Sequence, residues 1–433
     1  MMNNRAYFLI LLFCLLPWLG FTQKLPKPQV IVYGEGIDAW AAAMQAAKSN
    51  IPTLWIHPQA DGKVQLAGLQ GEWQMRHDID GGLWADLLAV SIKATQITDS
   101  VLIKARQEFQ VEKLQDAALQ MTNGQKMLSI LRGQQIKKVR KQGKQWSVET
   151  NLGQRYKVRA LVDASADHIL FKQAGVEVFP PRLADDQWPD ADPVLGLRTS
   201  IGAVMLQQGK PGYLSLGMLI SDQETTLYTT RISGTWTQWM PESLEKWPFQ
   251  ALVGQAVGAS AAYSAFFKQN SKQVDVRKVQ GELLQYQARL IPLQDISLMS
   301  PYRKAIERVL LSGILQAEPG PNEQQWYFRG DHPVPSSAIS EALNPLYVRN
   351  AIWWKDHPSE ALTLKQLLDY IKFVSYKGHE IDLQAERLWT QRWKFEDTFA
   401  MDLVLNRTQF AVILDHFATP FHTSVNYQGK FLR

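Results

Sequence analysis

Gly34-Glu35-Gly36-Ile37-Asp38-Ala39 forms a G-x-G-x-x-A turn. It follows the apolar run Val30 to Tyr33 directly and opens an alanine-rich stretch, Asp38 to Ser49. Residues of these types in this order suit the pyrophosphate of a dinucleotide. Gly34 permits the tight turn, Gly36 lets the backbone approach phosphate, and Ala39 lets helix and strand pack closely. The helix start offers free N–H groups and a positive dipole end. A second short strand, Leu54 to Ile56, completes a unit of the kind that builds parallel sheets. An acid is expected at the end of that strand to accept hydrogen bonds from a ribose. His57 stands there instead, and a neutral imidazole accepts only one hydrogen bond. Glu35 adds an anion inside the turn and reads as a solvated side chain.

Other chemistries find less support. The eight histidines are scattered, and His416 and His422, which flank a Pro-Phe pair, have no further ligands nearby in sequence; no metal is expected. The single cysteine, Cys14, excludes an intramolecular disulfide framework. No G-x-S-x-G elbow is present. Asp185, Asp186, Asp190 and Asp192 lie in a proline-rich stretch and read as a solvated acidic loop rather than a calcium site. Fifteen tryptophans raise the possibility of sugar stacking, with Trp236, Trp239 and Trp247 in one group and Trp353, Trp354, Trp389 and Trp393 towards the C-terminus. Burial in the core is the favoured reading, given their large apolar surface. Asn406-Arg407-Thr408 matches a glycosylation sequon and reads as incidental.

Elements able to position the turn can be read along the chain. The 433 residues allow two or three domains, and 45% hydrophobic with 20% charged residues is a globular balance. The net charge of +5 includes no block of Lys/Arg suited to a phosphate backbone, so no nucleic-acid partner is expected. Arg5 followed by the apolar run Tyr7 to Leu16, ended by Pro17 and Gly20, predicts a signal peptide over residues 1–23. Its removal would leave a cysteine-free chain without a transmembrane span, exported to the periplasm, the outside or the cell surface. Leu83 to Glu108 reads as mostly helical. From Met127 to Val162 short alternating strands predict an antiparallel β-meander with turns at Gly143 and Gly153, and Ala160 to Asp163 returns to the main sheet. Strands are expected within residues 212–232, and helices over Ala251 to Phe267 and Val274 to Ala288. The fold class expected is α/β: a Rossmann-like domain over residues 24–292 with the inserted meander, then a mainly helical region over 293–433.

Four segments carry a family resemblance: YGEGIDAWAAAMQAA; LAGLQGEW with DGGLWADLL; VDASADHILFKQAGVEV; and LVGQAVGASAAYSAFF with VDVRKVQGELLQYQ. The chain resembles the secreted FAD-dependent oxidoreductases of the glutathione-reductase-like flavoprotein fold, some of which are named xanthan lyases. PYRKAIERVLLSGIL and LNRTQFAVILDHFATPF are similar to the family's helical extension, itself somewhat like surface-layer-homology repeats. The resemblance implies an FAD site. Gly34, Gly36 and Ala39 match the pyrophosphate turn. Asp163, Ala164 and Asp167 match the family's D-A-T-G-D-G-D strand end. Gly217 matches a glycine before the flavin-facing segment. Gly254, Gln255 and Gly258 match the helix that closes over the flavin. The sequence departs from the family at His57, at Ser165 and Ala166 in place of Thr-Gly, and at Met218 in place of arginine. It is also short between Val176 and Pro193, where larger members carry a substrate domain. Two functions follow. One is an FAD-dependent oxidoreductase taking a hydride from a small or carbohydrate-like substrate. The other is a non-catalytic descendant acting as a surface or glycan-binding module.

Overall fold

The computed structural model describes residues 26–66, 78–177, 193–205, 211–221, 223, 225–231, 246–321, 323–357 and 361–432. The expected signal peptide, the acidic loop, Trp236, Trp239 and residues 67–73 of the LAGLQGEW segment lie outside these residues.

The chain begins with β1 (Val30–Tyr33), α1 (Ile37–Lys48) and β2 (Thr53–His57). Three helices follow, α2 (Gly82–Ser91), α3 (Asp99–Gln107) and α4 (Val111–Asn123), and then β3 (Leu128–Arg132). Next come β4 (Ile136–Gln142), β5 (Gln145–Thr150), β6 (Arg155–Val158), β7 (Ala160–Asp163) and the short α5 (Ile169–Ala174). After α6 (Pro193–Thr199) come β8 (Ser200–Met205), β9 (Pro211–Ser215) and β10 (Leu227–Thr229), and then the long α7 (Lys246–Phe267) and α8 (Val276–Gln285).

Five strands form one sheet in the order β10-β7-β1-β2-β3, and every neighbouring pair is parallel. Such a sheet is covered on both faces, which accounts for strands with no polar alternation. Side chains nevertheless divide between the faces by the two-residue period of a strand. Val30 and Val32 join the core against α1, whereas Ile31 and Tyr33 join a second core with Trp146 and Val148 of the meander and Phe171 of α5. The meander is the separate antiparallel sheet β4-β5-β6.

The sequence reading is corrected in three places. Residues 128–132 belong to the edge of the parallel sheet rather than to the meander, because β3 pairs with β2. The helix α4 was not anticipated, although Leu114, Ala117, Ala118 and Thr122 give it a buried stripe at helical spacing. The hairpin partner of β9, strand β8, was also not anticipated.

The C-terminal region contains α9 (Arg303–Leu311), the two-residue strands β11 (Glu318–Pro319) and β12 (Trp326–Tyr327), and α10 (Ser336–Ser340). It continues through α11 (Asn350–Asp356), α12 (Leu364–Ser375), α13 (Glu380–Leu388) and α14 (Arg407–Phe417). It shares a continuous apolar core with the sheet region. A buried polar seam also joins them. Arg303 pairs with Glu307 at 2.6 Å and donates to the Ala288 carbonyl, and Glu307 accepts the Leu290 N–H. Trp247, Trp353, Trp389 and Trp393 are buried, so these four offer no exposed platform for a sugar. Among the described residues no helix is long and apolar enough to cross a membrane.

Asn406, the sequon asparagine, caps α14. Its side chain accepts the Gln409 N–H at 2.8 Å, and the Gln409 side chain accepts the Asn406 N–H at 3.1 Å. This reciprocal box makes Asn406→Ala an expected loss of about 1 kcal/mol in denaturant unfolding.

Candidate functional site

In an open parallel sheet a ligand crevice forms where strand order reverses, at the carboxyl ends of the strands. Here that point lies between β1 and β7, which flank each other with β2 and β10 outside them. The G-x-G-x-x-A turn leaves β1 at this point. Gly34 has φ +151°, and a Cβ on it would lie 2.7 Å from the Ala164 carbonyl oxygen, so the two strand ends meet only because Gly34 has no side chain. The Trp55 indole donates to the Gly34 carbonyl at 2.9 Å and fixes the turn from below. Gly36 is the cap of α1, in extended conformation and without a capping side chain. The first N–H groups of α1 therefore have neither an intrahelical acceptor nor a side-chain cap. Ala39 is fully buried.

Three side chains gather over this turn. Asp38 is 1% exposed, and its Oδ2 accepts a hydrogen bond from Thr230 Oγ1 at 2.6 Å. Arg231 Nε stands 3.5 Å from the same oxygen, and Arg231 Nη2 donates to the Ala164 carbonyl at 3.2 Å. Asp38 Oδ1 is buried and has no hydrogen-bond partner. It lies directly over Gly36, where a Cβ on that glycine would overlap it. Thr230 and Arg231 follow β10, so the ends of three strands contribute to one cluster.

His57 is fully buried. Its Nε2 lies 3.0 Å from the Lys63 carbonyl and must donate to it, which leaves Nδ1 to accept the Gln59 N–H at 3.1 Å. Both nitrogens are committed to the loop after β2, and neither is left for a ribose. Glu35 is held aside by Gln59, whose Nε2 donates to Glu35 Oε2 at 3.1 Å.

Asp163 is also a structural side chain. Its Oδ1 accepts from Ser165 N at 3.0 Å and Ser165 Oγ at 2.6 Å, while Oδ2 accepts the Leu170 and Phe171 N–H groups at 2.7 and 3.2 Å. Burial raises its pKa above the ordinary carboxyl value, against these four donors, which lower it. Ala164 contributes its carbonyl to Arg231, whereas Asp167 is exposed.

The remaining positions make packing contacts. Gly217 sits in the short turn Leu216–Leu219, where a Cβ would be 3.6 Å from the Tyr427 carbonyl. Gly254 and Gly258 are the crossing points of α7 on α1, where Cβ atoms would overlap the backbone of Asp38 and Ala42. Gln255 accepts the Leu83 N–H at 3.1 Å and donates to Gln45 Oε1 at 2.9 Å, tying α7 to α2 and α1. The glycine spacing on α7 therefore serves helix packing. The sequence reading missed Asp38, Thr230 and Arg231. An acid two residues after Gly36 was a visible signal for the first; the other two belong to no motif.

The backbone of residues 34–38 has the elements of a diphosphate seat: two positions lack Cβ atoms, the helix start has no side-chain cap, and Arg231 supplies a cation at the rim, while the Asp38 carboxylate lies over Gly36 and the Gln65 N–H donates to the Glu35 carbonyl at 2.8 Å. These groups would hold the pyrophosphate of FAD, which supplies hydride-accepting chemistry when bound. No carboxylate stands at the end of β2 for a ribose.

Comparison with known proteins agrees in kind. Residues 29–228 match the family described as FAD dependent oxidoreductase. None of the curated proteins matches the chain. Among solved structures, a bacillithiol disulfide reductase from Staphylococcus aureus is similar at 14% identity, over 32% of this chain and 38% of that one, with a TM-score of 0.23. A GidA-related protein from Thermus thermophilus gives 15% identity, 32% and 52% coverage and 0.23. A p-nitrophenol 4-monooxygenase from Pseudomonas putida gives 9%, 35% and 44%, and 0.25. The chain spans only about two fifths to one half of these three proteins. The match over residues 29–228 supports an FAD-dependent oxidoreductase family for the sheet region of this chain, with FAD as its cofactor.

Proposed function

We propose that this chain is an exported flavin oxidoreductase acting on a small or carbohydrate-like substrate. The observation that carries the flavin reading is the glycine turn at the strand-order reversal between β1 and β7, which leads into a helix start without a side-chain cap and is flanked by Arg231. The family match over residues 29–228 supports it independently. Export rests on the sequence of residues 1–23, and the substrate class rests on the family resemblance. The site holds its cofactor by backbone and one arginine rather than by a ribose carboxylate, since His57 is committed to its own loop. No side chain is assigned as a catalytic acid or base.

The second reading, a flavin-free descendant acting as a surface or glycan-binding module, draws on Asp38, which puts a carboxylate where phosphate would lie. Its tryptophan platforms are weakened by the burial of Trp247, Trp353, Trp389 and Trp393.

The test is flavin release. The chain is purified without added cofactor, denatured, and read for flavin absorbance, and the same chain is titrated with FAD. Released or saturably bound FAD is the expected result. A colourless chain that takes up no FAD would overturn the flavin reading. An N-terminus near residue 24 in the exported form is expected, and retention of residues 1–23 would count against export.

A further inference from the structure

The geometry points to Asp38 as an internal occupant of the diphosphate seat, held there by Arg231 and Thr230. A dinucleotide would enter by displacing this carboxylate and taking over Arg231. The inference builds on the reading of the turn as a dinucleotide site.

Four observations carry it. First, the N-terminus of α1 attracts an anion through its dipole, and the side chain that would normally cap it is absent at Gly36. Second, Asp38 Oδ1 is buried over Gly36 with no donor. A carboxylate oxygen buried without a hydrogen bond is unfavourable, and the dipole of α1 offsets only part of that cost. Third, Asp38 is anchored through its other oxygen alone, to Thr230 at 2.6 Å and Arg231 at 3.5 Å. Fourth, the Arg231 side chain is 30% exposed and spans from Asp38 to the Ala164 carbonyl, across the gap between the ends of β1 and β7. It can therefore exchange one anion for another without leaving the crevice. The pair is Coulombically balanced while the seat holds only Asp38. A diphosphate placed beside an unmoved carboxylate would meet like-charge repulsion. Asp38 thus sets the affinity of the site, and Arg231 gives it preference for phosphate.

The experiment uses inorganic pyrophosphate and adenosine diphosphate as probes, titrated calorimetrically at low salt into the purified chain. Asp38→Asn removes the charge but keeps the shape, and Asp38→Ala empties the seat. Each is expected to bind pyrophosphate about tenfold tighter than wild type or better, a change of about 1.4 kcal/mol. Adding Arg231→Ala to Asp38→Asn is expected to abolish the gain. Circular dichroism establishes that each variant is folded, and if Asp38→Ala unfolds, Asp38→Asn decides. A folded Asp38→Asn that binds pyrophosphate no better than wild type, or that keeps its gain without Arg231, would overturn the inference. Flavin release from wild type tests the cofactor reading separately. A wild-type chain without flavin whose Asp38→Asn form gains pyrophosphate upholds the displaced-carboxylate account alone. A flavin-bearing wild type whose variants gain nothing sinks that account and leaves the cofactor reading standing.

Discussion

Gly258→Ala and Gly254→Ala are each expected to destabilise the fold by about 3 kcal/mol, at the upper end of ordinary overpacking. The reason is where the new methyl groups would go. At Gly258 the Cβ would overlap the Ala42 carbonyl, and at Gly254 it would overlap the Asp38 carbonyl. Both obstacles are backbone, so no side chain can turn away, and α1 and α7 would have to separate along their crossing. That crossing is lined by alanine and glycine and is buried throughout, so any separation opens voids in the central core. Unfolding in guanidinium chloride measures the effect as a lower midpoint. Gly124→Ala is the control: Gly124 has φ −76° and ψ −9°, and its Cβ would sit 3.6 Å from the nearest atom, the Met121 carbonyl oxygen. It is expected to be neutral or stabilising by up to about 1 kcal/mol. Equal losses in all three variants would contradict the account, because helix propensity favours alanine and a loss confined to the crossing is what the overlaps require.

Arg106→Leu is expected to cost about 3–5 kcal/mol. Arg106 and Asp80 form a two-point ion pair, with Nε to Oδ2 at 2.9 Å and Nη2 to Oδ1 at 2.6 Å, and both side chains are at most 1% exposed. Removing the arginine leaves a carboxylate inside the protein with its countercharge gone. The pair also lies at a junction: Trp84 donates to Asp80 Oδ1 at 2.8 Å, and Arg289 Nε donates to the Asp80 carbonyl at 3.2 Å. Replacing both partners, in Asp80→Leu/Arg106→Leu, removes the stranded charge and should recover a substantial part of the loss. A double-mutant cycle in denaturant reads the coupling. Additive single and double losses would contradict the account, because they would mean the two charges do not depend on each other.

The parts of the fold legible in the sequence were those written in short local patterns. The unit β1–α1–β2 announces itself through an apolar run, a glycine turn and an alanine-rich helix within about thirty residues. The meander was visible from the alternation in Gln145–Thr150, where Trp146, Val148 and Thr150 are buried. Residues 128–132 were misplaced because partnership of an edge strand is a tertiary fact: Leu128–Arg132 pairs with β2 across three intervening helices. The same limit applies at the site. Gly254 and Gly258 fit a flavin-facing pattern and a helix-packing pattern equally well in sequence, and only the position of α1 separates the two. His57 showed that the ribose acid was missing, but not that both its nitrogens would bind the following loop. Thr230 meets Asp38 across 192 positions, a pairing no local motif encodes.

The central claim is that the turn after β1 is a dinucleotide seat. A crystal structure of the chain with adenosine diphosphate, the half of FAD that this turn would hold, tests it most directly. The account predicts the diphosphate at the start of α1, with the Arg231 guanidinium moved from the Asp38 carboxylate to a phosphate oxygen. Nucleotide bound elsewhere, with the Asp38–Arg231 pair intact at saturation, would contradict it.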